Sequence, residues 1–128
     1  MKNSLLVLAA LALTTAAVAG PKAAPAKGPT SPKVTPALLA QGKQLFATTC
    51  VACHGEKGDG SGPAAAALNP KPRNFVTETF RNGDKPEQIF KTIGDGIPGT
   101  GMAAFAYLAE GDRWALAHYV TTLRPAKK

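Results

Sequence analysis

The 128-residue sequence holds only two cysteines, one tryptophan and two tyrosines, and eight acidic side chains against fifteen basic ones. Two cysteines allow at most one bridge, so a disulfide scaffold is excluded. Between residues 37 and 123 valine and isoleucine total six, and no stretch alternates apolar and polar residues for long. A sheet is therefore not expected. The apolar run from Leu5 to Ala19, broken by Thr14 and Thr15, falls short of the ~20 residues a bilayer-spanning helix needs. What the chain does have is 13 glycines, 11 prolines and 45% hydrophobic residues, a composition for one small globular domain with long loops.

Four segments divide the chain. Residues 1–19 read as a secretory signal peptide: Lys2 gives a positive start, Leu5 to Leu13 the apolar stretch, and Ala17-Val18-Ala19 a small-x-small cleavage site. Cleavage there implies a periplasmic or otherwise secreted protein in an oxidising compartment, with no stable membrane insertion. Residues 20–36 form a linker rich in Pro, Ala and Lys, expected to be an extended, semi-rigid tether. Residues 37–123 are the folding unit, expected to be monomeric, and 124–128 a frayed basic tail.

The net charge of +7 invites a nucleic-acid reading. Its location removes that reading. Lys2, Lys22, Lys27, Lys33, Arg124, Lys127 and Lys128 all lie outside the folding unit, which holds eight basic and eight acidic side chains.

The unit is expected to be all-α, with three helices. The first has Thr35 as N-cap and Pro36 at the first helical position, with Leu38, Leu39, Gly42, Leu45 and Phe46 on one face. The second runs from about Pro86 to Ile93, buries Ile89, Phe90 and Ile93, and ends at Gly94. The third runs from about Glu110 to Leu123, with Leu116, Tyr119, Val120 and Leu123 at helical spacing. The long loops between them, 55–74 and 94–102, point to function. Three short helices also bury too little on their own, so something should fill the middle.

Cys50-Val51-Ala52-Cys53-His54 supplies the candidate, because Cys-x-x-Cys-His is the attachment signature of c-type haem. At this spacing both thiols reach the vinyl groups of one porphyrin, and the imidazole that follows meets the iron. A dithiol redox pair would need a βαβ setting that the chain lacks. Zinc would need a fourth ligand. For the sixth iron position the chain offers Met102, on a Gly-rich loop 48 residues after His54, or His118. His118 lies off the apolar stripe of the third helix and is expected to be solvated. Arg73 is a weaker candidate, for a haem carboxylate.

With these residues in place, residues 37–123 resemble the monohaem class I cytochromes c. Gly42, Phe46 and Cys50 are spaced as in that family's first helix, and Leu116-x-x-Tyr119 resembles its partner pattern on the last. Gly62-Pro63 resembles the Gly-Pro whose carbonyl accepts the Nδ1–H of the proximal histidine, and Gly96 to Met102 resembles the axial-methionine loop. The resemblance implies a small helical domain around one covalent haem c, held by Cys50 and Cys53, with axial His54 and Met102 and with Pro63 orienting His54. It also implies an electron carrier between redox partner proteins rather than an enzyme. A haem sensor with a labile methionine, or an electron-transfer subunit of a larger oxidoreductase complex, are the alternatives. Two features depart from the family: Ala103 stands where a proline commonly follows the methionine, and Leu108 to Gly111 offers the last helix no side-chain cap.

Overall fold

The computed structural model describes residues 28–125. The signal-peptide reading, the linker up to residue 27 and the last three residues of the tail lie outside them. Among the described residues all regular structure is helical, in the order α1 (Pro36–Thr49), α2 (Val51–His54), a single 3₁₀ turn (Ala65–Ala67), α3 (Pro86–Asp95) and α4 (Glu110–Thr122).

Helix α1 begins as its sequence dictates. Thr35 is extended, its hydroxyl accepts the Leu38 N–H at 3.1 Å, and Pro36 occupies the first turn, where an N–H has no partner to lose. The face that α1 buries carries Gly42 and Phe46. Gly42 is where α1 meets α4: a Cβ there would lie 2.1 Å from the Ala115 carbonyl oxygen. Only glycine lets the backbones come this close.

Helix α3 runs past Gly94, the residue expected to end it. The left-handed residue that terminates it is Gly96, φ 68°, whose N–H bonds to the Thr92 carbonyl at 2.9 Å. Gly94 is instead buried inside the helix, where a Cβ would meet the Arg113 guanidinium at 2.7 Å.

Helix α4 is the centre of the core. Its buried residues are Trp114 to His118 in an unbroken run, and Val120. Of these, Trp114, Leu116, Ala117 and Val120 form one cluster with Phe46 of α1, with Ile89, Phe90 and Ile93 of α3, and with Phe75 of the loop before α3. Phe90 stacks on Trp114 with ring centroids 4.2 Å apart. Each such large apolar side chain contributes about 1.5–3 kcal/mol by leaving water.

His118 overturns its expected solvation: it is 5% exposed. The expectation assumed that α4 is covered along one stripe only. In fact α1 and α3 flank it, and the residues before α1 reach a further side, where the Ser31 hydroxyl lies 3.0 Å from His118 Nε2. That part of the linker therefore lies on the domain. Arg124, at the start of the expected frayed tail, is also engaged: it lies over the Phe80 ring, pairs with Asp84 at 3.7 Å and donates to the Glu78 carbonyl.

Candidate functional site

A cavity with about 1240 Å³ of atom-free space, its open mouth included, is lined by every helix and both long loops. Its inner walls are apolar: Phe46, Phe75, Ile89, Ile93, Leu116 and Val120. Cys50, Cys53, His54 and Met102 all line it. It thus brings together the four side chains that the sequence singled out for haem attachment and ligation.

The cysteine–histidine group is set by local geometry. Cys50 closes α1, its N–H bonding to the Phe46 carbonyl at 2.9 Å, and opens α2, whose His54 N–H bonds back to the Cys50 carbonyl at 2.9 Å. Both cysteines are unpaired and half-buried. Burial, and then the neighbouring Cys53, push the Cys50 thiol up to about 11. A thiol held protonated at neutral pH is the opposite of the activated thiolate that a disulfide-exchange enzyme needs.

His54 is positioned by the loop that follows. Its Nδ1 donates to the Arg73 carbonyl at 3.1 Å, and its ring stacks on Phe75 at 4.4 Å. The hydrogen bond places the ring proton on Nδ1 and leaves the Nε2 lone pair free to ligate. Burial lowers the imidazole pKa below its ordinary value, and the Arg73 carbonyl pulls the other way. A neutral imidazole is the form that binds metal.

This corrects the role expected of Pro63. The loop after His54 folds back on α2 itself, with Gly60 N–H on the His54 carbonyl at 2.8 Å, Gly62 N–H on Cys53 at 3.3 Å and Ala64 N–H on Ala52 at 2.9 Å. Gly62 lies so close to α2 that a Cβ would meet the Ala52 carbonyl oxygen at 2.4 Å. Gly62-Pro63 thereby packs against the backbone of the cysteine turn, with Pro63 exposed. The carbonyl facing the imidazole comes from further along, at Arg73.

Met102 is half-buried in a loop that hydrogen-bonds itself. The Thr100 hydroxyl donates to the Ile97 carbonyl at 2.8 Å and accepts the Met102 N–H at 3.1 Å, and Ile97 N–H bonds to the Met102 carbonyl at 2.9 Å. Gly101 packs against Leu68, which also lines the cavity. The loop is thus tied at both ends without a proline after the methionine.

His118, the competing ligand, does not line the cavity. Arg73 does, and its guanidinium bonds to Glu78 at 2.6 Å. Sequence reasoning missed Phe75 and the Arg73 carbonyl. An isolated phenylalanine in a polar loop was the one available signal for the first, and a backbone carbonyl leaves none for the second.

The two thiols, the imidazole and the thioether around one apolar cavity are the donor set of a covalent, six-coordinate haem, so the residues present fit that group. No described helix is long and apolar enough to cross a membrane. The sequence profile of the family described as Cytochrome c matches residues 39–124. Among solved structures, a chain of the Kuenenia stuttgartiensis reducing HAO-like protein complex is similar, with 31% identity and a TM-score of 0.70 over 75% of this chain. The present chain spans 48% of that longer chain.

Proposed function

Because the chain belongs to the cytochrome c family, and so carries electrons on a covalently attached haem c, we propose that it is an extracytoplasmic one-electron carrier between redox proteins, with His54 and Met102 as axial ligands. The observation that carries this reading is the meeting of Cys50, Cys53, His54 and Met102 on one cavity. When bound, haem c supplies a one-electron iron couple.

The residues divide the remaining work. Cys50 and Cys53 would hold the porphyrin through thioethers. His54, turned by the Arg73 carbonyl and Phe75, presents Nε2. Met102 presents a thioether, a ligand that raises the potential, and Thr100 holds its loop in register. With both axial positions taken by His54 and Met102, outer-sphere electron transfer would be the chemistry left. Gly62 acts one step back, by letting the loop lie against the backbone of α2.

The test is the visible spectrum of the matured protein. We expect narrow α and β bands on reduction, and in the oxidised form a weak far-red band that Met102→Ala abolishes while lowering the midpoint potential. A five-coordinate high-spin spectrum in the wild type would overturn the axial assignment and favour the sensor reading. Recovery from the periplasmic fraction with an N-terminus at Gly20 would support the location.

The structural neighbour favours a second reading, in which the domain serves as a subunit of a larger oxidoreductase complex, since that similar chain belongs to one. Purification at native level separates the two: a carrier elutes at monomer size, a subunit with its complex.

A further inference from the structure

The cavity described above carries an uneven set of charges. Apart from His54 and the two thiols, its ionisable lining residues are Lys71, Arg73 and Arg81, and no carboxylate lines it. All three cations come from one stretch, residues 71–81, between the 3₁₀ turn and α3. The folding unit as a whole has as many acidic as basic side chains, so this is a local excess.

The three are not equivalent. Arg73 is already matched, its guanidinium 2.6 Å from the Glu78 carboxylate. Lys71 and Arg81 are exposed and in no ion pair among the described residues. Their backbone is nevertheless held on the neighbouring residues. Lys71 stands between Pro70 and Pro72, whose rings lock the backbone on both sides. Arg81 follows Phe80, which stacks on Phe75 at 5.4 Å and is covered by Arg124.

Haem c brings two carboxylates to this cavity. We propose that Lys71 and Arg81, and not Arg73, are their counter-charges, so that these two residues keep the carboxylates ionised. The proposal rests on haem c binding and not on the identity of the sixth ligand.

A nearby cation stabilises an ionised carboxylate and lowers its pKa, by about 1–3 units at close range. Ionisation in turn lowers the iron potential, so the potential falls with rising pH across the window where the carboxylates titrate. The experiment is a redox titration of the matured full-length protein from pH 4 to 9 at low salt. Lys71→Gln and Arg81→Gln are expected to move that window up by about one unit, with the visible spectrum unchanged. Lys71→Arg and Arg81→Lys should largely restore it.

Two controls should leave the window in place: Lys85→Gln, an exposed cation that does not line the cavity, and Arg73→Gln/Glu78→Gln, which removes a matched pair. A window unmoved in both the Lys71 and Arg81 variants would overturn the proposal, as would one that moves only in the Arg73 double variant. If these cations instead meet carboxylates of a partner protein, the pH profile of the isolated protein stays put. Only the salt-dependent rate of electron transfer to an acidic partner then falls, which also overturns it. A failed sixth-ligand assignment shows separately, in the far-red band.

Discussion

The imidazole of His54 lies 4.4 Å from the ring of Phe75, with the two planes 20° apart. Phe75 is itself sandwiched, stacking on Phe80 at 5.4 Å and meeting Phe46 edge-on at 6.4 Å. The His54 ring is therefore the end of an aromatic stack rooted in α1 and in the loop before α3. Together with the Arg73 carbonyl, this stack fixes both the tilt and the tautomer of the ring.

Replacing Phe75 with leucine keeps an apolar side chain and removes the stacking, for which about 1–2 kcal/mol of stability should be lost. Phe75→Ala should cost about 3–5 kcal/mol. Denaturant unfolding of the haem-loaded protein, followed at the main absorption band, measures both. A leucine variant with an unchanged midpoint would show that the stack contributes nothing beyond filling space.

The crossing of α1 and α4 gives a sharper expectation. A methyl group at Gly42 would meet the Ala115 carbonyl oxygen at 2.1 Å and the Tyr119 Cβ at 2.7 Å. Gly42→Ala should destabilise by about 3 kcal/mol or prevent folding. Because the nearest atom belongs to the backbone, truncating Tyr119 to alanine in the same chain should bring no relief. Rescue by that second change would place the conflict in the tyrosine ring and contradict the geometry.

The contact between Ser31 and His118 joins residues 87 positions apart and ties the linker to the domain. Ser31→Ala leaves a buried ring nitrogen without its partner, which should cost about 1 kcal/mol. It should also loosen the segment around Lys33, so trypsin should cut after Lys33 faster than in the wild type. Ser31→Thr keeps the hydroxyl and should behave as the wild type. Equal midpoints and equal cleavage rates for the alanine variant would show that the segment is held by other contacts.

These residues also show what the sequence could reveal. Thr35-Pro36 and Pro86 mark helix starts because caps and first-turn prolines act through local geometry, and α1 and α3 begin where they say. Cys50, Cys53 and His54 are legible because a covalent attachment demands fixed residue types at fixed spacing. The acceptor for His54 Nδ1 is not, since any residue can supply a carbonyl and only the path of the loop decides that Arg73 does. His118 misleads for a related reason. Its cover comes from Ser31, in a segment with no apolar periodicity to announce that it packs. The short helix α2 and the end of α3 at Gly96 escaped because each is set by a single turn of backbone hydrogen bonds.

Helix α4 starts without help from its own side chains. Ala109 occupies the N-cap with non-helical geometry, φ −55° and ψ 150°, and no side chain accepts from the first turn. Gly111 sits in that turn with nothing within 4 Å of where a Cβ would stand. Both positions are exposed and neither lines the cavity. Ala109→Ser places a hydroxyl where it can accept an orphan N–H and should add about 0.5–2 kcal/mol. Gly111→Ala reduces the freedom of the unfolded chain and should add about 0.5–1 kcal/mol. Each should raise the denaturant midpoint with an unchanged slope, while the visible spectrum and the potential stay as in the wild type. The crossing of α4 with α1 begins close by, at the 2.6 Å bond from Gln41 to Asp112, so a gain there would show that fraying of this first turn limits the stability of the α1–α4 pair. A lower midpoint in the alanine variant would mean instead that the turn needs glycine.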